Sequence, residues 1–142
     1  MSDAVSMPVI SANDDGLYVV MEPWSVAVDV NGARHVLTVG KGFVFDGASI
    51  PRALWSVCGH PYEAPRCAAA LAHDWLYSSH AVDRGVADGI YLELERRVGV
   101  PWYKRYSEYL AVRMFGWAPW KAGKREIASA LSHGSLVMKE NA

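Results

Sequence analysis

WSVAVDVNGARHVLTV, residues 24–39, is the stretch that decides the fold class. Trp24, Val26, Val28 and Val30 alternate with smaller or polar residues, so an extended chain puts all four on one face. Asn31-Gly32 follows, and Arg34–Val39 is a second β-rich run. Both turn residues tolerate positive φ, and Asn-Gly between two such runs is a strong hairpin signal. Toward the N-terminus, Leu17–Met21 reads as a short strand and residues 1–15 as a loose arm. Toward the C-terminus, Gly40-Lys41-Gly42 breaks the run. Phe43–Phe45 is a further short strand that delivers the chain into Asp46-Gly47.

Beyond Asp46 the pattern becomes helical. Pro51 starts a short helix through Trp55, and Gly59-His60-Pro61 breaks it. An alanine-rich helix is expected at about Arg66–Ser79. Asp83 is placed to cap the next helix, Arg84–Val98, which Gly99 ends. Pro101 opens another helix, Trp102–Phe115. Gly116–Gly123 reads as a Trp/Pro/Gly turn, Lys124–Leu131 as a last short helix, and residues 132–142 as a frayed tail. Strands first and helices second argue an α+β fold: an antiparallel hairpin region over 16–45, then a helical region over 46–131 containing an antiparallel helix pair. A chain of 142 residues suits a single domain.

Half the residues are hydrophobic, enough for a core and too many for a disordered chain. Cys58 and Cys67 do not make a disulfide framework, and their spacing is not that of a zinc site, even with His60 and His73 nearby. The start, MSDAVSMPVI, shows no signal-peptide pattern, so the reducing cytoplasm is the expected site of synthesis. The net charge of −1 hides an asymmetry. Residues 1–95 carry twelve acids against five Lys or Arg. Residues 96–125 carry eight Lys or Arg, one acid (Glu108) and seven interleaved aromatics. Such a segment fits a solvated helix face over core aromatics, or a surface for an anionic membrane. Nucleic acid is the less favoured partner, and the oligomeric state is open.

Two segments carry candidate chemistry. In AHDWLY (Ala72–Tyr77), His73 and Asp74 point about 100° apart on a helix, while His73 and Tyr77 share a face. With the helix-pair tip near His80–Val82, His73 and Asp88 lie nearly equidistant from it and can face each other. A carboxylate on one ring nitrogen is what a histidine base requires. The same residues also fit a polar pair that satisfies hydrogen bonds in helix packing. In FDGASIPR (Phe45–Arg52), Asp46, Gly47 and Ser49 sit in a strand-to-helix turn. The carbonyls of such a turn can face a cation; alternatively, Asp46 and Ser49 serve as turn and cap residues alone.

The order GF-x-FDGASIPR-x-x-W, then AAALAHDWLY, then R-x-x-AD resembles a phage- and prophage-encoded family, domain-of-unknown-function family 1353, from Gly42 to about Trp117. That resemblance implies a viral or prophage origin and no established activity. It leads us to expect a virion-associated structural or accessory component, made in the host cytoplasm, with other phage structural proteins as partners. A looser resemblance, DG-x-S-x-P followed by A-x-x-HD-x-x-Y and a later Asp, is to the secreted phospholipases A2. It implies a Ca²⁺-dependent lipid or ester hydrolase at a membrane surface. His73 would be the general base, Asp88 would orient it with Tyr77 in support, and Asp74, Asp46 and Gly47 would hold Ca²⁺. The His-to-Asp interval is shorter here by about one turn of ~3.6 residues on each arm, which keeps the two residues facing. The fuller glycine-rich loop and the disulfides of that family are absent. Adjacent His-Asp also occurs in metal-dependent phosphohydrolases, for which His35 or His60 with Asp88 would complete the ligands. Ser49 lacks the sharp elbow of a serine hydrolase.

Overall fold

The computed structural model describes residues 4–12, 17–46 and 66–140. The helix expected at Pro51–Trp55, and with it Gly47, Ser49, Cys58 and His60, lies outside the described residues.

The hairpin forms as its alternation requires. Strands β3 (Trp24–Val30) and β4 (Ala33–Val39) pair antiparallel from Trp24↔Val39 to Val30↔Ala33. Asn31 and Gly32 take φ of 55° and 74°, the left-handed pair that a tight two-residue turn demands. Trp24, Val26 and Val28 turn inward from β3, and Ala33, His35, Leu37 and Val39 from β4. A second antiparallel sheet has the order β1 (Ile10–Ala12), β2 (Tyr18–Val20), β5 (Val44–Phe45). Part of the expected loose arm is therefore tied down. Ile10–Ala12 pairs with Tyr18–Val20, the Met21 amide donates to the Val9 carbonyl, and Trp24 Nε1 donates to Ser6 O at 2.9 Å.

Helix α1 (Cys67–Ser79) is the centre of the molecule. Twelve of its residues are buried, Ser78 being half-buried. A helix apolar on every side must be covered on every side, and this one is packed by the next helix, by two later helices and by β4 and β5. Its run of alanines, Ala68–Ala70 and Ala72, allows those neighbours close approach. His80 closes α1 in the left-handed region at φ 52°. Helix α2 (Arg84–Arg97) returns antiparallel and packs on β3, with Gly89 against Val30. Asp83 stands at its N-cap, but its side chain makes no cap bond; its backbone carbonyl accepts from Ala87 instead. Helix α3 (Trp102–Phe115) follows, packed on α2. No helix among the described residues is long and apolar enough to cross a membrane.

Two expectations at the C-terminal end are corrected. Gly116–Gly123 is not a turn. Trp117–Gly123 forms helix α4, with Pro119 in the first turn, where its missing amide has no acceptor to lose. A single 3₁₀ turn (Lys124–Glu126) leads into α5 (Ile127–Ser132). The tail is not frayed either: Gly134–Glu140 forms β6, paired antiparallel with β4 from Val39↔Gly134 to Ala33↔Glu140. Tertiary pairing supplies what the local pattern lacks, because β6 is largely exposed and gains its order from the β4 ladder.

Candidate functional site

The helix pair α1–α2 brings His73 and Asp88 together. His73 Nε2 lies 2.7 Å from Asp88 Oδ1, and both side chains are wholly inaccessible. Tyr77, one turn after His73, donates its hydroxyl to the same oxygen at 2.7 Å. Arg113 of α3 donates to Oδ2 at 2.8 Å, and Arg84 stands 3.4 Å from it. Arg84 is in turn aimed by the carbonyls of Val112 and Arg113 at the end of α3.

This arrangement sets the protonation states. Burial pushes the Asp88 carboxyl upward, but donation from His73, Tyr77 and Arg113 outweighs it and holds the group below the ordinary carboxylate range. An ionised carboxylate is acceptor-only, so His73 Nε2 carries the proton that faces Asp88. Burial first, and then the Asp88 carboxylate, push the Tyr77 hydroxyl far above its ordinary value, so it remains a donor. The rings of Tyr77 and Tyr91 flank the imidazole at centroid distances of 4.2 and 4.9 Å.

Asp74 faces elsewhere, as adjacency on a helix requires. It lines a cavity of about 610 Å³ together with Asp46, Tyr77, Ser78, Glu126 and His133. The Asp46 end of FDGASIPR thus shares a wall with AHDWLY, and Tyr77 belongs both to the cavity and to the Asp88 cluster. His73 is not among the residues lining this cavity. Three carboxylates on one cavity, Asp46, Asp74 and Glu126, suit a hard cation chemically, whereas Ca²⁺ takes about 6–8 oxygens. Among the described residues no three His, Cys, Asp or Glu side chains are grouped to hold a metal ion. Gly47 lies outside the described residues. His35 is buried on β4 beside a separate hollow lined by Val30, Val86 and Met138, away from Asp74.

A second buried cluster escapes sequence reasoning. Arg66, at the start of α1, is hydrogen-bonded to Glu108 of α3, and Tyr91 donates to the same Glu108 oxygen at 3.0 Å. Glu95 of α2 lies 3.5 Å from the same guanidinium. No hydrogen bond reaches its buried carboxyl oxygens among the described residues. Burial outweighs the pull of Arg66 and raises the Glu95 carboxyl to about 8. Tyr91, whose ring touches His73, joins the two clusters.

A family model described as "Protein of unknown function (DUF1353)" matches residues 18–112. The chain is similar to the "Uncharacterized protein y4jT" of Sinorhizobium fredii (strain NBRC 101917 / NGR234), at 32% identity over 93 residues. The match covers 62% of this chain and 26% of that relative, so the chain spans about a quarter of the relative's length. No solved structure matches it. The matched segment runs from β2 into α3 and contains His73, Asp74, Tyr77 and Asp88, and on this match the chain belongs to the DUF1353 family of proteins of unknown function.

Proposed function

We propose that the chain is a hydrolase of ester bonds, of the kind the phospholipase A2 resemblance implies. The observation that carries this reading is the shared Asp88 Oδ1, which accepts from His73 Nε2 and from the Tyr77 hydroxyl at 2.7 Å each. In this reading the His73 ring takes a proton from a water admitted past Tyr77, and the water oxygen attacks the ester carbonyl. The tetrahedral adduct then expels the alcohol, which leaves with the proton returned from His73. Asp88 fixes the ring and offsets the charge of the imidazolium. Tyr77, neutral throughout, holds Asp88 from the cavity side. Asp46 and Asp74 are the residues that would hold Ca²⁺; bound there, it would polarise the ester carbonyl.

The test compares wild type with His73→Gln on phospholipid vesicles and on soluble esters, with and without Ca²⁺. We expect wild-type turnover, lowered by about 10²–10⁴-fold in the variant at similar thermal stability. Ca²⁺ should raise the melting temperature of wild type but not of Asp74→Asn. Absence of turnover by Ca²⁺-loaded wild type would overturn the reading.

A second reading is favoured by the complete burial of His73. In it the Asp88 cluster is a polar knot joining α1, α2 and α3, and the chain is a phage structural or accessory component. That reading expects His73→Gln to lower stability with no activity to lose, and the chain to co-purify with virus particles. Its absence from purified particles by mass spectrometry would count against it.

A further inference from the structure

Helix α3 is amphipathic in the reverse sense. Its buried positions are Glu108 and Val112. On a wheel of about 100° per residue, Tyr103, Tyr106, Leu110 and Met114 cluster opposite them. With Trp102 at the start of this helix and Trp117 at the start of α4, these side chains are each between 47% and 66% exposed. An ordinary surface helix turns its apolar stripe to the core; this one turns it to solvent, as a partner-facing surface does.

Charge selects the partner. Lys121 of α4 and Lys124 and Arg125 of the 3₁₀ turn after it are exposed, and Lys104 is half-buried within α3. The acid of this segment, Glu108, is buried against Arg66 and Tyr91. The rim of the patch therefore carries three exposed cations against one exposed acid, Glu126, which accepts from the Ser78 hydroxyl at 3.2 Å. A second copy of the chain would bring like charges together. Four of the six apolar side chains are Trp or Tyr, rings that favour the headgroup level of a bilayer, where the body is covered and the polar tip stays wet.

We infer that the exposed face of α3, with the cations of α4 and the following turn, docks the protein on an anionic lipid surface. The helix lies in the interface rather than crossing it: aromatic rings enter among the headgroups, and Lys121, Lys124 and Arg125 meet the lipid phosphates. This docking stands independently of the chemistry at His73.

The test is co-sedimentation of the full chain with vesicles containing phosphatidylglycerol and with vesicles of phosphatidylcholine alone, with self-association followed by sedimentation velocity. Binding to the anionic vesicles should weaken with salt. It should fall roughly tenfold or more in Lys121→Glu/Lys124→Glu and in Tyr106→Ser/Leu110→Ser. All four positions are surface sites, so the variants should keep their far-UV circular dichroism and melting temperature. His73→Gln should bind vesicles as wild type does, whatever becomes of hydrolysis. Failure to bind anionic vesicles, or equal binding to both vesicle types, would overturn the inference. So would a dimer abolished by Tyr106→Ser/Leu110→Ser, which would assign the face to a second copy.

Discussion

Asp88 and Glu95 sit about two helix turns apart on α2, both fully buried, and they answer pH in opposite directions. Asp88 has its folded-state carboxyl lowered from 3.8, so its contribution to stability is present above that value and lost as pH falls below it. Asp88→Asn removes the charge that Arg113 and Arg84 were built around. It should cost about 3–5 kcal/mol by urea unfolding at neutral pH, and the gap to wild type should narrow on acidification. Glu95 has its carboxyl raised from 4.5 to about 8, so its contribution is complete below 4.5 and fades as pH rises toward 8. Glu95→Gln, which keeps the shape without the titration, should flatten the fall in melting temperature across that window. The difference arises because Arg66 is hydrogen-bonded to Glu108, while Glu95 is left with ionic attraction alone. Of these partners, Asp88 was legible in the sequence from its distance to the hairpin tip, and Tyr77 from its position one turn after His73. Arg84, four residues before Asp88, was equally available to that reasoning. Arg113 and Glu108 were not, because they arrive on α3, whose orientation over α2 no local period encodes.

At the scale of elements, the strongest local signals gave the most faithful expectations. The Asn-Gly hairpin and helices α1 to α3 fall almost where the alternation and the capping residues put them. The discrepancies are the elements held by distant partners. Helix α4 carries Trp and Pro residues that read as a turn, yet Trp120 stacks on His80 at 3.7 Å and meets the Tyr77 ring edge-on at 5.2 Å. Strand β6 begins at Gly134 because the chain must pass there between β4 and Trp75. A Cβ at this position would stand 2.5 Å from the Thr38 carbonyl oxygen and 2.7 Å from Trp75 Nε1. Trp75 cannot readily yield, since its Nε1 donates to Ala130 O at 2.9 Å and it is wholly buried. Gly134→Ala should therefore cost about 1–3 kcal/mol, read by chemical denaturation, and should speed amide exchange along β4.

Across the whole molecule, α1 is enclosed by elements drawn from both ends of the described chain: β4 and β5 before it, and α2, α4 and α5 after it. That enclosure is why the candidate site is assembled from distant parts. Asp46 follows β5, Asp74 and Tyr77 come from α1, and Glu126 and His133 flank α5. Removing residues 134–140 would leave β4 as an open edge with paired neighbours on one side only. Such a truncation should lower the melting temperature and raise light scattering on standing, since an unpaired strand templates further pairing.

Strand β6 also carries a consequence in time. Its partners on β4 are about a hundred residues earlier in the chain, the most distant kind of contact and the slowest to form. On the ribosome, β3 and β4 emerge and can close their hairpin long before Gly134 is made. For that interval β4 waits with one edge unsatisfied, at a synthesis rate of about 5–20 residues per second. The nascent chain thus passes through several seconds in which its most adhesive edge is uncovered, and the yield of native protein should be set by what shields that edge until its last strand arrives.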